Sequence, residues 1–491
     1  MKKVPIKELV KGQNKLYLKS DELILGIEIP KIHNSLYIKF YLKSRQMLGV
    51  TIVNEKAAIT GINEYPIIID LYRTNITELF DYTSISKYKK YKISMVQHIL
   101  NQFKGGLRMK IDLFKKWLNP YATVVRDLAL ESDRAGKPVN TFVEDSYFKP
   151  LHFFKTPSRY WDGITLKDGN KVFGTTALEN VIFVEEIAYG DPSLYLSLPG
   201  PNLSGTIVDK IGTQEQRDNF FEYFINKNSW SAFALTEPTA GSDVANMLMT
   251  AEKGENNTYL LNGQKRYVGN GAIADYMVVF AKKTKKDLPK NKSIFLDAFL
   301  INKNNNLSNI KQSVDNTLGL KSARLGKIEF TDFLVTEQDI LGHDKSSLKR
   351  GIRGAMETFL HMRPATAAIA IGLSKAIIDY VQTCVNHEYN KFILDRLKWE
   401  VERGRVLTLQ AAITCDAGNF NSYYSSMAKQ YMNGVVVKVV RECSKLMGDY
   451  GLIEHPLLEK WLRDARMIEF MEGSTNILKM DIKNKMMNGR L

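Results

Sequence analysis

The chain has 491 residues, of which 44% are hydrophobic and 25% charged, with a formal net charge of +15. That length predicts roughly two to four domains, and the composition excludes a disordered, collagen-like or disulfide-rich chain. Three cysteines (Cys384, Cys415, Cys443) and the absence of a CxxC pair also exclude a zinc-finger framework; a reducing interior such as the cytoplasm fits them.

The N-terminus, MKKVPIKELV, carries charge but no apolar core, so a signal peptide is not expected. Residues 1–110 hold 19 Lys and Arg against 9 Asp and Glu, a net of +10, so two thirds of the excess charge sits at this end. A solvated Lys- and Asn-rich surface is the plain reading, and a docking face for an acidic partner is the other; nucleic acid is not favoured. Residues 1–105 read as short strands, at 22–30, 36–42, 50–53 and 66–69, followed by the basic run KYKKYK at 87–92. No catalytic motif lies there, and Gly105-Gly106 is a candidate linker.

Residues 106–230 read as helical. Ile111, Phe114 and Trp117 have helical spacing, and Val181–Val184 continues into Ile187 and Ala188. Gly190-Asp191-Pro192 stops one helix and can start another, with Asp as N-cap and Pro in the first turn. Thr213-Gln-Glu-Gln216 has capping-box form. Residues 231–345 read as strands, at 276–281, 294–301 and 327–330, with Asn262-Gly263 between apolar runs as a hairpin signal. Residues 346–485 return to helix, in amphipathic runs over 355–382, 392–417, 421–449 and 456–469. The most apolar stretch, Ala365–Leu373, is about half a membrane span, and no membrane role is expected.

Two distant strings carry the chemistry. Phe233–Asp243 reads FALTEPTAGSD. Leu235 and Thr236 offer backbone and hydroxyl groups, and Gly241-Ser242 an unhindered backbone and a second hydroxyl. The plain alternative is a Pro/Gly turn between helix and strand, but the string is long and unusual for that. Arg463–Thr475 reads RDARMIEFMEGST. Glu472 before Gly473 suits a carboxylate base whose value is raised in a dry pocket; alone it reads as a solvated helix-start turn with Ser474 or Thr475 as cap.

In this order the strings resemble the acyl-CoA dehydrogenase family over about 107–485. The resemblance implies an α+β fold: an N-terminal helical domain (106–230), a central β-barrel-like domain (231–345) and a C-terminal four-helix bundle (346–485), preceded by a β-rich extension (1–105). It implies FAD as cofactor and Glu472 as the base that takes the α-proton of an acyl thioester. It places Leu235, Thr236, Gly241, Ser242, Tyr267, Gly269, Lys445, Gly448, Ser474 and Asn476 against FAD, and Ser242, Phe359, Arg363 and Gly473 against substrate. Arg363 reads as well as a buried structural ion pair. The thioester is carried on CoA or an acyl carrier protein, the acceptor is an electron-transfer flavoprotein, and the assembly is a homodimer or homotetramer.

The string GQKRYVGNG (263–271) departs from the family: Tyr267 stands where Trp is usual, and Gly269, where Thr or Ser is usual, has no hydroxyl for the flavin. Leu360 replaces an acidic residue of medium-chain members, and Met362 occupies the position of the base in isovaleryl-type enzymes, excluding that variant. The RxxFG string that reaches a neighbouring subunit's FAD is missing between 379 and 396, and QxxGGxG becomes KLMGDYG at 445–451. Lys445 can meet a pyrophosphate by charge, whereas Asp449 would repel one. No GxGxxG follows a strand, and no paired metal-ligand spacing occurs. The rival expectation is a flavin-containing or flavin-free paralogue that binds nucleic acid or a partner and has no dehydrogenase activity.

Overall fold

A computed structural model describes the backbone of six strands within residues 10–70 and of residues 106–487, except 244–245, 285–295, 306, 347–349, 351 and 419–421; side chains are described from 110 onward within those bounds, save 305, 352–356, 359 and 422. The chain divides into two compact units, Met1–Asp112 and Leu113–Leu491.

In the first unit, strands β1 (Val10–Gly12) and β2 (Lys15–Leu16) form a small antiparallel pair. Strands β3 (Ser35–Leu42), β4 (Arg45–Val53), β5 (Lys56–Thr60) and β6 (Ile67–Asp70) form an antiparallel meander in that order. Three of the expected strands fall in it; the fourth, 22–30, and the basic run 87–92 lie outside the described residues.

Helix α1 (Gly106–Asp127) leads into the second unit, which opens with α2 (Ala129–Ala135), α3 (Asn140–Glu144), α4 (Lys149–His152) and a short ribbon of β7 (Ile164–Thr165) and β8 (Lys171–Val172). Then come α5 (Ala177–Gly190), α6 (Pro192–Leu196), α7 (Asn202–Ile211) and α8 (Gln214–Asn226). Local chemistry sets these boundaries. Asp191 Oδ1 accepts the Leu194 N–H at 2.9 Å, and Pro192 opens α6. Thr213 and Gln216 form the reciprocal capping box at the start of α8.

The middle of the unit is one mixed seven-stranded sheet. Strands β13 (Leu296–Asn302), β12 (Tyr276–Thr284), β10 (Thr250–Lys253), β11 (Thr258–Val268), β15 (Gly326–Thr336) and β14 (Ile310–Val314) run in that order, and β9 (Ser231–Ala234) pairs in parallel with β12. Its core packs Met277–Phe280, Phe299 and Phe330 with Ile207, Val208, Phe220 and Phe224 of α7 and α8.

The hairpin expected at Asn262-Gly263 is corrected. Strand β11 runs through both residues, paired with β10 on one side and β15 on the other, and its register with β15 shifts between Leu261 and Gly263. Asn262 is held by exchange with Asp332, its amide donating to Oδ1 at 2.9 Å while its Oδ1 accepts the Asp332 N–H at 2.8 Å. Gly263 has φ 141°, and a Cβ there would lie 2.9 Å from Met249. The Gly marks a bulge and a close approach of neighbouring backbone, which local sequence cannot separate from a turn.

The chain closes with α9 (Ile352–Cys384), α10 (Glu388–Asp416), α11 (Ser422–Leu446), α12 (Gly451–Glu454), α13 (Pro456–Ile468) and α14 (Thr475–Met487). Only residues 385–387 join α9 to α10, consistent with the missing RxxFG segment. Leu360–Cys384 is long and apolar enough to cross a membrane, but 83% of its most apolar window is buried within the protein, as in a core helix.

Candidate active site

The loop after β9 is built around a buried carboxylate. Glu237 accepts the Lys265 ammonium at 2.8 Å and the backbone N–H of Met249 at 3.0 Å and Leu248 at 2.5 Å. Lys265, fully buried, also donates to the Leu235 carbonyl at 3.0 Å. Burial pulls its ammonium down to about 8 against the opposing pull of Glu237. The Arg266 N–H donates to the Thr236 carbonyl at 3.0 Å. Thr236 is therefore set beside Arg266, which precedes Tyr267 in the chain. Glu237→Gln would leave the Lys265 ammonium with a neutral partner, at a cost of about 2 kcal/mol or more. A lower melting temperature and weaker FAD retention are expected together, measured by calorimetry and by flavin fluorescence of the filtrate; unchanged values would remove Glu237 from this role.

The surface next to this loop has room for a planar ring. Tyr267 has φ 60° and is 53% exposed. A Cβ at Gly269 would meet no atom within 4 Å, and one at Gly241 only Thr236 Cγ2 at 3.8 Å. Ser242 is exposed. The residues present fit a flavin: an exposed aromatic ring, open glycines and a hydroxyl-bearing loop fixed from beneath.

The end of β11 is tied to helix α6. Asn270 donates from Nδ2 to the Leu196 carbonyl at 3.1 Å and from its backbone to the Ala323 carbonyl at 3.0 Å. The Ser322 N–H donates to Ser193 Oγ at 2.9 Å, and the Leu320 N–H to Asp464 Oδ1 at 2.6 Å. Asp464 belongs to a fully buried cluster in which Lys460 joins it at 2.6 Å and also binds Asp191, the cap of α6. This relay brings the Tyr267–Asn270 segment, α6 and the C-terminal helices into one region.

Glu472 stands in the turn between α13 and α14, where Glu472 and Gly473 have φ 52° and 113°. A left-handed Glu costs about 1 kcal/mol or more and persists only where its surroundings hold it. Arg363 of α9 does so: its Nε donates to the Glu472 carbonyl at 3.3 Å and its Nη1 to Ser426 Oγ at 3.0 Å, with Asp481 Oδ2 at 3.7 Å. Lys429, fully buried on α11, donates to the Ile468 carbonyl at 2.8 Å and to Asn433, which binds Thr475 Oγ1 at 3.2 Å. Burial lowers Lys429 to about 7.

The Glu472 carboxyl is pushed up by burial, partly offset by a hydrogen bond from Thr366 and by the charges of Arg363, Lys155 and Lys429. Its Oε2 atom is buried without a hydrogen-bond partner among the described residues, although the residue as a whole is partly exposed. Tyr195 of α6 is pushed up, first by burial and then by the Glu472 charge. Tyr195 precedes Leu196 in α6, and the Leu196 carbonyl accepts Asn270 from the end of β11.

Other expected residues lie apart or are undescribed. Lys445 is exposed and 3.3 Å from Glu442, and Gly448, at φ 76°, ends α11 in the left-handed form. Among the described residues no hydrogen bond or ion pair joins either to Thr236, Tyr267 or Glu472. Ser474 accepts the Leu478 N–H at 3.1 Å in the first turn of α14, and Asn476 is exposed. The Phe359 side chain lies outside the described residues. The sequence reading missed Lys155, Tyr195, Thr366 and Lys429, because each lies on an element whose facing partner is distant in the chain.

The family model described as acyl-CoA dehydrogenase, middle domain, matches residues 232–333, and that of the acyl-CoA dehydrogenase C-terminal domain matches 349–487. The chain is similar to a 3-(aryl)acrylate reductase of Clostridium sporogenes, 28% identical over 65% of this chain and 85% of the relative. It is similar to a short-chain-specific acyl-CoA dehydrogenase of Megasphaera elsdenii, 26% identical over 62% and 81%. A solved glutaryl-coenzyme A dehydrogenase in complex with glutaryl-CoA superposes with a TM-score of 0.67 at 26% identity, covering 77% of this chain and 95% of that one. With two family domains in sequence and the same fold, the chain belongs to the acyl-CoA dehydrogenase family of oxidoreductases.

Proposed function

We propose that this chain catalyses the FAD-dependent α,β-dehydrogenation of an acyl thioester, with Glu472 as base. The observation that carries the reading is the buried, unpartnered Oε2 of Glu472 in a turn that Arg363 and Lys429 hold in place. A carboxylate with one unpartnered oxygen and a raised value is a stronger base than a solvated one. It takes the proton from the α-carbon. Among the described residues the Glu472 N–H makes no hydrogen bond, which leaves it free to donate to the thioester oxygen as charge builds there. The chemistry that FAD, the cofactor of the family, supplies when bound is acceptance of the β-hydrogen with its electron pair at N5. Leu235, Thr236, Ser242 and Tyr267 would hold the ring. The product is the 2,3-unsaturated thioester.

The same geometry serves the reverse reaction, in which Glu472 returns the α-proton; reduction is the direction named for the Clostridium relative. In the oxidative direction an electron-transfer flavoprotein would take the electrons. The carrier is CoA or an acyl carrier protein, and the working assembly a homodimer or homotetramer in the cytoplasm. Lys445, Gly448, Ser474 and Asn476 would meet the nucleotide end of FAD in that assembly.

The test is spectroscopic. Purified protein should carry flavin absorption bands, and anaerobic addition of acyl-CoA or acyl-carrier-protein thioesters should bleach them. A colourless protein that takes up no FAD would overturn the reading.

A further inference from the structure

Tyr267 is an exposed ring on a strained piece of backbone. It lies at the end of β11, where residues 266 and 267 stand against Lys327 alone and the register with β15 shifts between Lys265 and Val268. Such a bulge re-aims the side chains it carries. At φ 60° Tyr267 is left-handed, a conformation that persists in a bulky residue only where its surroundings hold it.

Arg266 is the neighbour that holds the ring. Its guanidinium lies over Tyr267, with Cζ 4.9 Å from the ring centroid, inside the range of a cation–π contact. Asp315, just beyond β14, fixes the guanidinium in turn: Nε donates to Oδ1 and Nη2 lies against the same oxygen, each at 3.1 Å. The Asp315 N–H donates to the Leu325 carbonyl at 2.8 Å, which anchors the carboxylate. The Arg266 backbone N–H is the one bound to Thr236, so this single residue joins the ring to the Phe233–Asp243 loop.

As an ion pair the contact does little for the fold. The Arg266 side chain is 41% exposed, and pairs so open to water contribute almost nothing to stability. Asp315 Oδ2 is buried without a hydrogen-bond partner, which adds a cost. What the pair provides is orientation. With the guanidinium over one face of the ring, a flat ligand has one open face to stack on.

We propose that Arg266, oriented by Asp315, is a positioning residue for the flavin: it holds Tyr267 as a one-sided platform and acts on FAD only through that ring. This rests on the reading of Tyr267 as a flavin contact. The planar guanidinium suits the task, because it lies flat on an aromatic face while its edge meets a carboxylate; an ammonium cannot do both.

The experiment measures FAD release from holoenzyme on dilution, by flavin fluorescence, in wild type, Arg266→Met, Arg266→Lys, Asp315→Asn, Tyr267→Asn and the double variant of Arg266→Met with Tyr267→Asn. Asn removes the ring and tolerates the left-handed backbone. Arg266→Met should raise the dissociation constant by roughly 3-fold to 10-fold, because binding must then order a ring that is loose beforehand. Bound flavin should also fluoresce more brightly in it, since a loosely stacked ring quenches less. Asp315→Asn should shift both readouts the same way, and Arg266→Lys should recover only part of the loss. In the Tyr267→Asn background Arg266→Met should change neither, because the ring it acts through is gone. All variants should melt close to wild type with FAD in excess. An Arg266→Met effect of equal size with and without the ring, wild-type affinity in both Arg266→Met and Asp315→Asn, or an affinity loss that tracks a large drop in melting temperature would overturn the inference and leave the dehydrogenase reading standing. A wild type that takes up no FAD would overturn both.

Discussion

Glu472→Gln should retain its fold and its FAD and lose about 10³-fold to 10⁴-fold in substrate-dependent flavin reduction. The amide keeps the size of the side chain and the left-handed turn, but it cannot take a proton. Wild-type activity should rise with pH as Glu472 ionises, at a pH above the ordinary carboxylate range, because burial raises its carboxyl. The residual activity of the variant should lack that limb. Stability should move the other way. A carboxyl raised in the folded state carries no penalty below the unfolded value and the full penalty above the folded one. Glu472→Gln should therefore melt at or above wild type at neutral and alkaline pH, and lose that advantage as pH falls from the raised folded value to about 4.5. Stopped-flow bleaching and a melting series across pH measure both. Bleaching within tenfold of wild type would remove Glu472 from the base role.

Glu185→Leu should be the most destabilising single change, by about 3–5 kcal/mol. Glu185 on α5 is fully buried and meets Lys115 of α1 at 2.8 Å, Lys375 of α9 at 3.0 Å and Arg405 of α10 at 2.8 Å. One carboxylate thus joins four helices, and its loss leaves three partly buried cations with only Glu186 and Glu402 to answer them. Although burial opposes ionisation, Arg405, Lys375 and Lys115 together hold its carboxyl far below the usual range. Its contribution is therefore present above about pH 4.5 and is lost only as pH falls through the much lower folded value. A drop in melting temperature of roughly 5 °C or more is expected at pH 7. Adding Lys375→Met and Arg405→Leu should restore part of it, since an apolar replacement of a whole buried network is often tolerated. A single variant that melts with wild type would show that the cluster contributes little.

Much of this was legible in local sequence. The Asp191-Pro192 start of α6 and the capping box at Thr213 depend on neighbours within four residues, and both form as the residue types dictate. The switch from helix to strand near 231 and back near 350 followed from apolar spacing alone. Asn262-Gly263 shows the limit. The pair suits a tight turn, yet the strands on either side of β11 supply pairing that continues through it, and Gly263 is needed for its φ of 141° and because Met249 lies against it.

The sequence by itself determined the order of elements, the Phe233–Asp243 loop and the carboxylate before Gly473, because these are strings whose chemistry is contiguous. Only the tertiary structure decided what surrounds that carboxylate. Arg363, Thr366 and Lys429 on two helices, Tyr195 on a third and Lys155 on a strained loop converge on it from up to three hundred residues away. Charge and burial act through space, and a linear chain does not record which distant side chains will share a dry volume.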